Sequence, residues 1–207
     1  IMKLTLFGHD DRYAVEQLCL ALFDMDMEGQ VISTLHRGKT WLSAVTTVKI
    51  GDKVSRSSRR LKAADETVRL RRQALQQSLY EAALPHLPEV PAWGALSGVR
   101  PTKITTKHLL EGGTPKSADR LLRDTYYVSV ERRKLALDCS LSTVAAVEKM
   151  SDQDVSLYVG IPFCPSRCAY CSFVSEIISK TKYEDMYVKA LIDEILALKG
   201  KMKNIRS

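Results

Sequence analysis

The sequence predicts a mixed α/β chain in three parts: a small α+β domain over residues 1–90, a helical connector over 91–153, and a strand–loop–helix unit over 154–207. Three observations carry this. β-branched runs gather in the first fifty residues, helical spacing dominates the middle, and an apolar run at 157–161 is followed by three cysteines and then an amphipathic pattern. With 207 residues, 45% of them hydrophobic, the chain can bury the cores of one or two domains.

Residues 3–8 alternate around Leu4 and Leu6 and read as a strand. Asp10 and Asp11 are candidate N-caps for a helix in which Tyr13, Ala14, Leu18, Ala21 and Leu22 recur at helical spacing. Cys19 among them reads as a small buried side chain. Residues 31–35 and 40–50 are β-branched and joined by His36-Arg-Gly-Lys39, a hairpin connection with His36 as a turn residue. From Ser57 a long amphipathic helix is expected, with Leu61, Ala64, Val68, Leu75, Leu79 and Ala82 on one stripe, ending before Pro85.

Residues 87–93 read as a proline-punctuated linker in which Trp93 anchors the next segment by burying its ring. Pro101 lies at a helical first turn, and a short helix over 103–110 is stopped by Gly112-Gly113, after which Thr114-Pro115 opens another. Residues 130–150 read as helix, with Leu135, Leu137, Leu141, Val144 and Val147 at apolar positions and Cys139 as a packed thiol. The run 157–161 reads as a buried strand. A closing helix over about 183–198 places Tyr183, Tyr187, Leu191, Ile195 and Leu198 on one face.

The formal charge is +7, and much of it lies in residues 53–72, including Arg56, Arg59, Arg60, Lys62, Arg69, Arg71 and Arg72. Asp65 and Glu66 interrupt this run and no aromatic residue interleaves it, so it reads as a solvated helix face rather than a nucleic-acid interface. No apolar run approaches the ~18 residues of a membrane span, and no secretory leader pattern is present. Five cysteines, an odd number with three clustered, argue for a reducing compartment, and a cytoplasmic protein is expected.

The chemistry is concentrated in Cys164-x3-Cys168-x2-Cys171. Three thiolates at this spacing can wrap one face of a metal centre. Structural zinc takes four protein ligands. No Cys or His follows Cys171, and His9, His36, His86 and His108 are all far upstream. An iron–sulfur cube held by three cysteines, its fourth iron open to another ligand, is the better fit.

Cys-x3-Cys-x2-Cys after a strand resembles the signature of the radical S-adenosylmethionine (SAM) enzymes. The context Tyr158-Val-Gly-Ile-Pro-Phe-Cys164 is similar to the opening of the oxygen-independent coproporphyrinogen III oxidase-like branch, and Gly98-Val-Arg-Pro-Thr-Lys103 resembles an element of its HemZ-type coproporphyrinogen dehydrogenases. The resemblance implies that residues 154–207 begin a TIM-like parallel barrel, and that Cys164, Cys168 and Cys171 bind a [4Fe-4S] cluster whose open iron chelates SAM. Tyr158, Tyr170 and Phe173 stand at positions it places beside the cofactor.

The implied activity is oxidative decarboxylation of coproporphyrinogen III to protoporphyrinogen IX in haem biosynthesis, through a 5'-deoxyadenosyl radical. The partners implied are the porphyrinogen substrate and a one-electron donor such as flavodoxin or ferredoxin. Arg100 and Lys103 either cap a helix or face the propionates of that substrate. Gly160 stands where the branch carries His and Phe173 where it carries a further Cys. The Cys-Ser-Phe ending is shared with haem-handling relatives, so haem binding or delivery is the alternative function. Ile1 precedes Met2, and the glycine-rich SAM motif is expected beyond residue 207. The chain is therefore expected to be an N-terminal fragment without turnover, whose residues 154–207 are poorly stabilised alone.

Overall fold

The computed structural model describes residues 2–96, 100–151, 154–155, 157–169 and 171–198. Gly98, Tyr170, Gly200 and the basic tail lie outside the described residues. The chain divides into two compact units, Ile1–Val147 and Glu148–Ser207. The described residues make a mixed α/β chain with one four-stranded sheet and six α-helices.

In the first unit, β1 (Met2–Phe7), α1 (Arg12–Leu22), β2 (Gly29–Arg37), β3 (Trp41–Ile50), β4 (Lys53–Lys62) and α2 (Val68–Ala83) follow in order. The sheet order is β1-β2-β3-β4, with β1 parallel to β2 and the other pairs antiparallel. Period-2 alternation sets the register: Val31 opposes Val48 and Leu35 opposes Ala44, and all four are buried. Leu18, Leu75 and Leu79 are fully buried in the same core, each contributing about 1.5–3 kcal/mol relative to exposure. Thr46 and Ser78, also fully buried, join their hydroxyls at 2.8 Å and so satisfy each other between sheet and helix.

The helix expected from Ser57 is corrected by the structure, because residues 53–62 form β4 and helix begins only at Val68. The inward side of this strand is polar, so no apolar alternation advertises it. Ser55 Oγ donates to the Ala82 carbonyl, Ser57 Oγ donates to Glu81 Oε2 at 2.7 Å, and Arg59 pairs with Glu81. The overlooked signal is Gly51-Asp52, a two-residue hairpin loop with φ +57° at Gly51, which ties Ile50 to Lys53. The basic run is thus split between an edge strand, where charge discourages further pairing, and a helix.

Two smaller expectations change here. His36 lies inside β2 opposite Ser43 rather than in the turn. Asp11 is the N-cap residue of α1, but its carboxylate makes no capping bond and instead accepts from Arg71 and Arg72.

Three helices complete the unit: α3 (Pro101–Leu110), α4 (Pro115–Tyr126) and α5 (Val130–Glu148). Pro101 and Pro115 occupy first-turn positions, and Thr114 closes a capping box with Ser117. Trp93 is half-buried against the small core of Leu122, Val128 and Ala136, with the Arg132 guanidinium 5.8 Å from its ring centroid. Cys139 is exposed, not packed as expected. α5 packs through the small residues Ala136 and Ser140, leaving Leu135 and Leu141 exposed; Ser140 Oγ meets Thr105 Oγ1 at 2.5 Å in the buried contact with α3.

The αL conformation at Tyr127, φ 58°, ends α4 and is held by tertiary contacts. Its ring stacks on Tyr80 with centroids 5.0 Å apart, and its hydroxyl donates to Glu81 Oε1 at 2.9 Å while accepting from Arg59 at 2.6 Å. The cost of a left-handed non-glycine residue is offset by this fixed ring.

The second unit holds the short strands β5 (Phe163–Cys164) and β6 (Glu176–Ile177), paired in parallel, and α6 (Glu184–Leu198). The buried strand expected at 157–161 is not formed. Leu157, Tyr158, Val159 and Ile161 are exposed in irregular backbone. The physical reason is the one that made a lone parallel strand unfavourable: no neighbouring strand among the described residues pairs with this run, so its apolar side chains have no face to bury. A barrel is likewise not formed among the described residues.

Candidate metal centre

The cysteine loop starts from β5, which contributes Cys164, and returns to β6 through residues 165–175. The β5–β6 bridge pins both ends: Glu176 N donates to the Pro162 carbonyl at 2.8 Å. Between them, Cys171 N donates to the Cys168 carbonyl at 3.0 Å, so a tight turn draws the second and third cysteines together along the backbone. Cys171 Sγ lies 4.0 Å from Ser175 Oγ. Cys164 and Cys171 are half-buried, Cys168 is exposed, and none is in a disulfide.

The donor chemistry suits a thiophilic centre: three free thiols on one anchored loop, near its turn, with no competing disulfide. Among the described residues, no three His, Cys, Asp or Glu side chains are gathered closely enough to hold a metal ion, so the three thiols do not share one coordination point in this conformation.

α6 supports the loop from one side. The Phe163 ring meets the Tyr187 ring edge-on at 5.3 Å, and the Tyr187 hydroxyl donates to the Gly160 carbonyl at 2.5 Å. A Cβ at Gly160 would come within 3.3 Å of the Tyr158 ring, but Tyr158 is 92% exposed and free to move, so sterics do not demand glycine here. Tyr158 therefore points to solvent rather than inward, and Phe173 is also exposed, at 79%. Arg167 is exposed. Tyr170 lies outside the described residues.

Of the two basic residues matched to a substrate role, Arg100 is the exposed N-cap residue of α3 and makes no side-chain capping bond. Lys103 lines an open cleft of about 700 Å³ in the first unit. Sequence reasoning missed this cleft, because its walls come from residues far apart in the chain.

Burial pushes the Cys19 thiol up to about 12, as befits a packed side chain. Burial lowers His9 and His86 below the ordinary imidazole range. Among the described residues no helix is long and apolar enough to cross a membrane.

No protein-family model matches the chain, and no solved structure matches it. Over 84 residues, 39% of its length, it is 40% identical to the oxygen-independent coproporphyrinogen-III oxidase-like protein HemZ of Bacillus subtilis (strain 168). The match covers 17% of that protein, so the chain corresponds to a minor part of its relative's length. As a partial length, the chain is similar to the HemZ-type branch of the oxygen-independent coproporphyrinogen-III oxidase-like proteins, and the resemblance to that branch is borne out.

Proposed function

We propose that this chain carries the cluster-binding loop of a radical SAM coproporphyrinogen dehydrogenase, as part of a longer protein. The observation supporting it is the loop itself: three free thiols between two paired strand ends, in a chain similar to a coproporphyrinogen-III oxidase-like protein. Cys164, Cys168 and Cys171 would hold a [4Fe-4S] cluster. When bound, cluster and SAM supply the one-electron chemistry that oxidises a propionate side chain of the substrate with loss of CO2.

The protein's own residues have a supporting task. The β5–β6 bridge fixes the loop ends, and the backbone turn at Cys168–Cys171 keeps two ligands adjacent. Tyr187 holds the irregular segment that leads into β5 and the loop, through the Gly160 carbonyl. The three thiols would converge when metal binds, with ordering of the loop coupled to binding. Tyr158, Tyr170 and Phe173 would lie toward SAM, with the exposed Tyr158 and Phe173 rings available to cover it. An external one-electron donor would reduce the centre, and a cytoplasmic setting would keep the thiols reduced.

The test is anaerobic reconstitution with iron and sulfide. The chain should take up about four irons and four sulfides, and replacing Cys164, Cys168 or Cys171 with Ala should abolish most of the uptake while Cys139→Ala leaves it unchanged. Equal loading of the three loop variants would refute the assignment. In the longer protein, SAM-dependent release of CO2 from coproporphyrinogen supports the dehydrogenase. Tight haem binding with coproporphyrinogen left intact would replace that activity with haem handling.

A further inference from the structure

The first unit holds a cleft of its own. An open cleft of about 700 Å³ lies among α2, α3 and α4, within the roughly 300–1,000 Å³ typical of small-molecule sites. α2 presents Arg69 and Arg72, three residues apart and so on one helix face; α3 presents Lys103 and Lys107, four apart. Glu111 is the single carboxylate among the lining residues. The rest of the lining mixes apolar surface, from Leu96, Ile104, Leu121 and the ring of Tyr126, with the polar side chains of Gln73, Gln76 and His108.

Two of these four charges are not consumed by the fold. Arg69 and Lys103 are exposed and have no ion-pair partner among the described residues. Arg72 engages Asp11 through Nε, and Lys107 approaches Glu111 at 3.6 Å on an exposed surface, a weak pairing. Cations gathered in one cleft repel one another without a compensating anion, and no ion pair among the described residues uses Arg69 or Lys103. Burial raises the Tyr126 hydroxyl above the ordinary phenol range, and the Arg69 charge acts against that shift. A single aromatic ring does not provide the successive stacking platforms that a single-stranded nucleic acid uses.

We propose that this cleft binds a small molecule with apolar surface that carries several carboxylates, with Arg69 and Lys103, from two different helices, as the principal anion contacts. The choice of a tetrapyrrole tetracarboxylate as probe rests on the function proposed above. The cleft belongs to a different unit from the cysteine loop, so the two are tested separately.

The experiment titrates coproporphyrin III into the full 207-residue chain and follows its fluorescence. One saturable site is expected, weakened by added salt. The double charge reversal Arg69→Glu/Lys103→Glu should weaken it at least about tenfold. The milder Arg69→Gln/Lys103→Gln should show a smaller loss with unchanged far-UV circular dichroism, so that misfolding is not mistaken for lost contact. Cys139→Ala, at an exposed thiol outside both the cleft and the cysteine loop, should bind normally. Absence of saturable binding overturns the proposal, as does undiminished affinity in both double variants or displacement of the porphyrin by a short single-stranded RNA at lower concentration. Iron uptake by the unmodified chain is read independently, so failure of the cleft leaves the cluster assignment standing and failure of the cluster leaves the cleft standing.

Discussion

Arg71 Nε donates to Asp11 Oδ2 at 2.6 Å, tying the second helix to the start of the first. Arg72 takes the other oxygen at 2.8 Å, and Arg71 also reaches Glu66 at 3.2 Å. Asp11 is almost wholly buried, and burial alone would raise its pKa; the two guanidinium hydrogen bonds outweigh burial and hold the carboxyl below the ordinary range.

A depressed carboxylate contributes stability that is present above its unfolded pKa and is lost as pH falls through the folded value. Asp11→Asn should therefore destabilise the first unit by about 2–4 kcal/mol at neutral pH, since it leaves Arg71 and Arg72 facing a neutral amide. The gap to the unmodified chain should narrow below the ordinary carboxylate value of 3.8. Urea denaturation at several pH values measures both; a constant gap down to strong acid would contradict the linkage.

Gly94 and Gly51 give a matched pair of backbone tests. Both have positive φ, 58° and 57°, but a Cβ on Gly94 would collide with the Tyr126 and Tyr127 carbonyls, whereas one on Gly51 meets nothing within 4 Å. Gly51→Ala should cost about 1 kcal/mol, the conformational penalty alone. Gly94→Ala should cost at least about 2 kcal/mol more, because backbone has to move. Equal denaturation midpoints for the two variants would show that the approach at Gly94 is not tight.

Alkylation should sort the five thiols by environment. With iodoacetamide at pH 8, the exposed Cys139 and Cys168 should be labelled first, and the half-buried Cys164 and Cys171 more slowly. Cys19 should react only after denaturation, since it is buried and its thiol is pushed up to about 12. Peptide mass spectrometry resolves the order, and labelling of Cys19 in the native chain at the rate of Cys139 would exclude the packed position.

Amide exchange should separate the two units. Amides of β2 and β3, hydrogen-bonded to strands on both sides, should be the most protected, and those at 157–161 should exchange at nearly free-chain rates. Tyr187→Phe should speed exchange around β5 further, with a local cost of about 1 kcal/mol from the lost bond to the Gly160 carbonyl. Strong protection at 157–161 would mean that this run is paired after all.

What the residues alone determined is local or covalently close. The helix over Arg12–Leu22, the β2 and β3 strands, the proline-opened helices α3 and α4 and the cysteine spacing were legible because periodicity, caps and motif spacing act within a few residues. The identity of β4 was not, because its inward serines and Arg59 are satisfied only by the distant α2 and Tyr127, and polar side chains carry no apolar period. The exposure of Cys139 was decided the same way, by which face of α5 met α3. The cleft walled by Arg69 and Lys103 also belongs to tertiary structure, since those residues become neighbours only when separate helices pack. At the cysteine loop the division is sharpest: spacing singled out the three candidate cysteines, while strand formation at 157–161 depends on neighbours that local sequence does not supply.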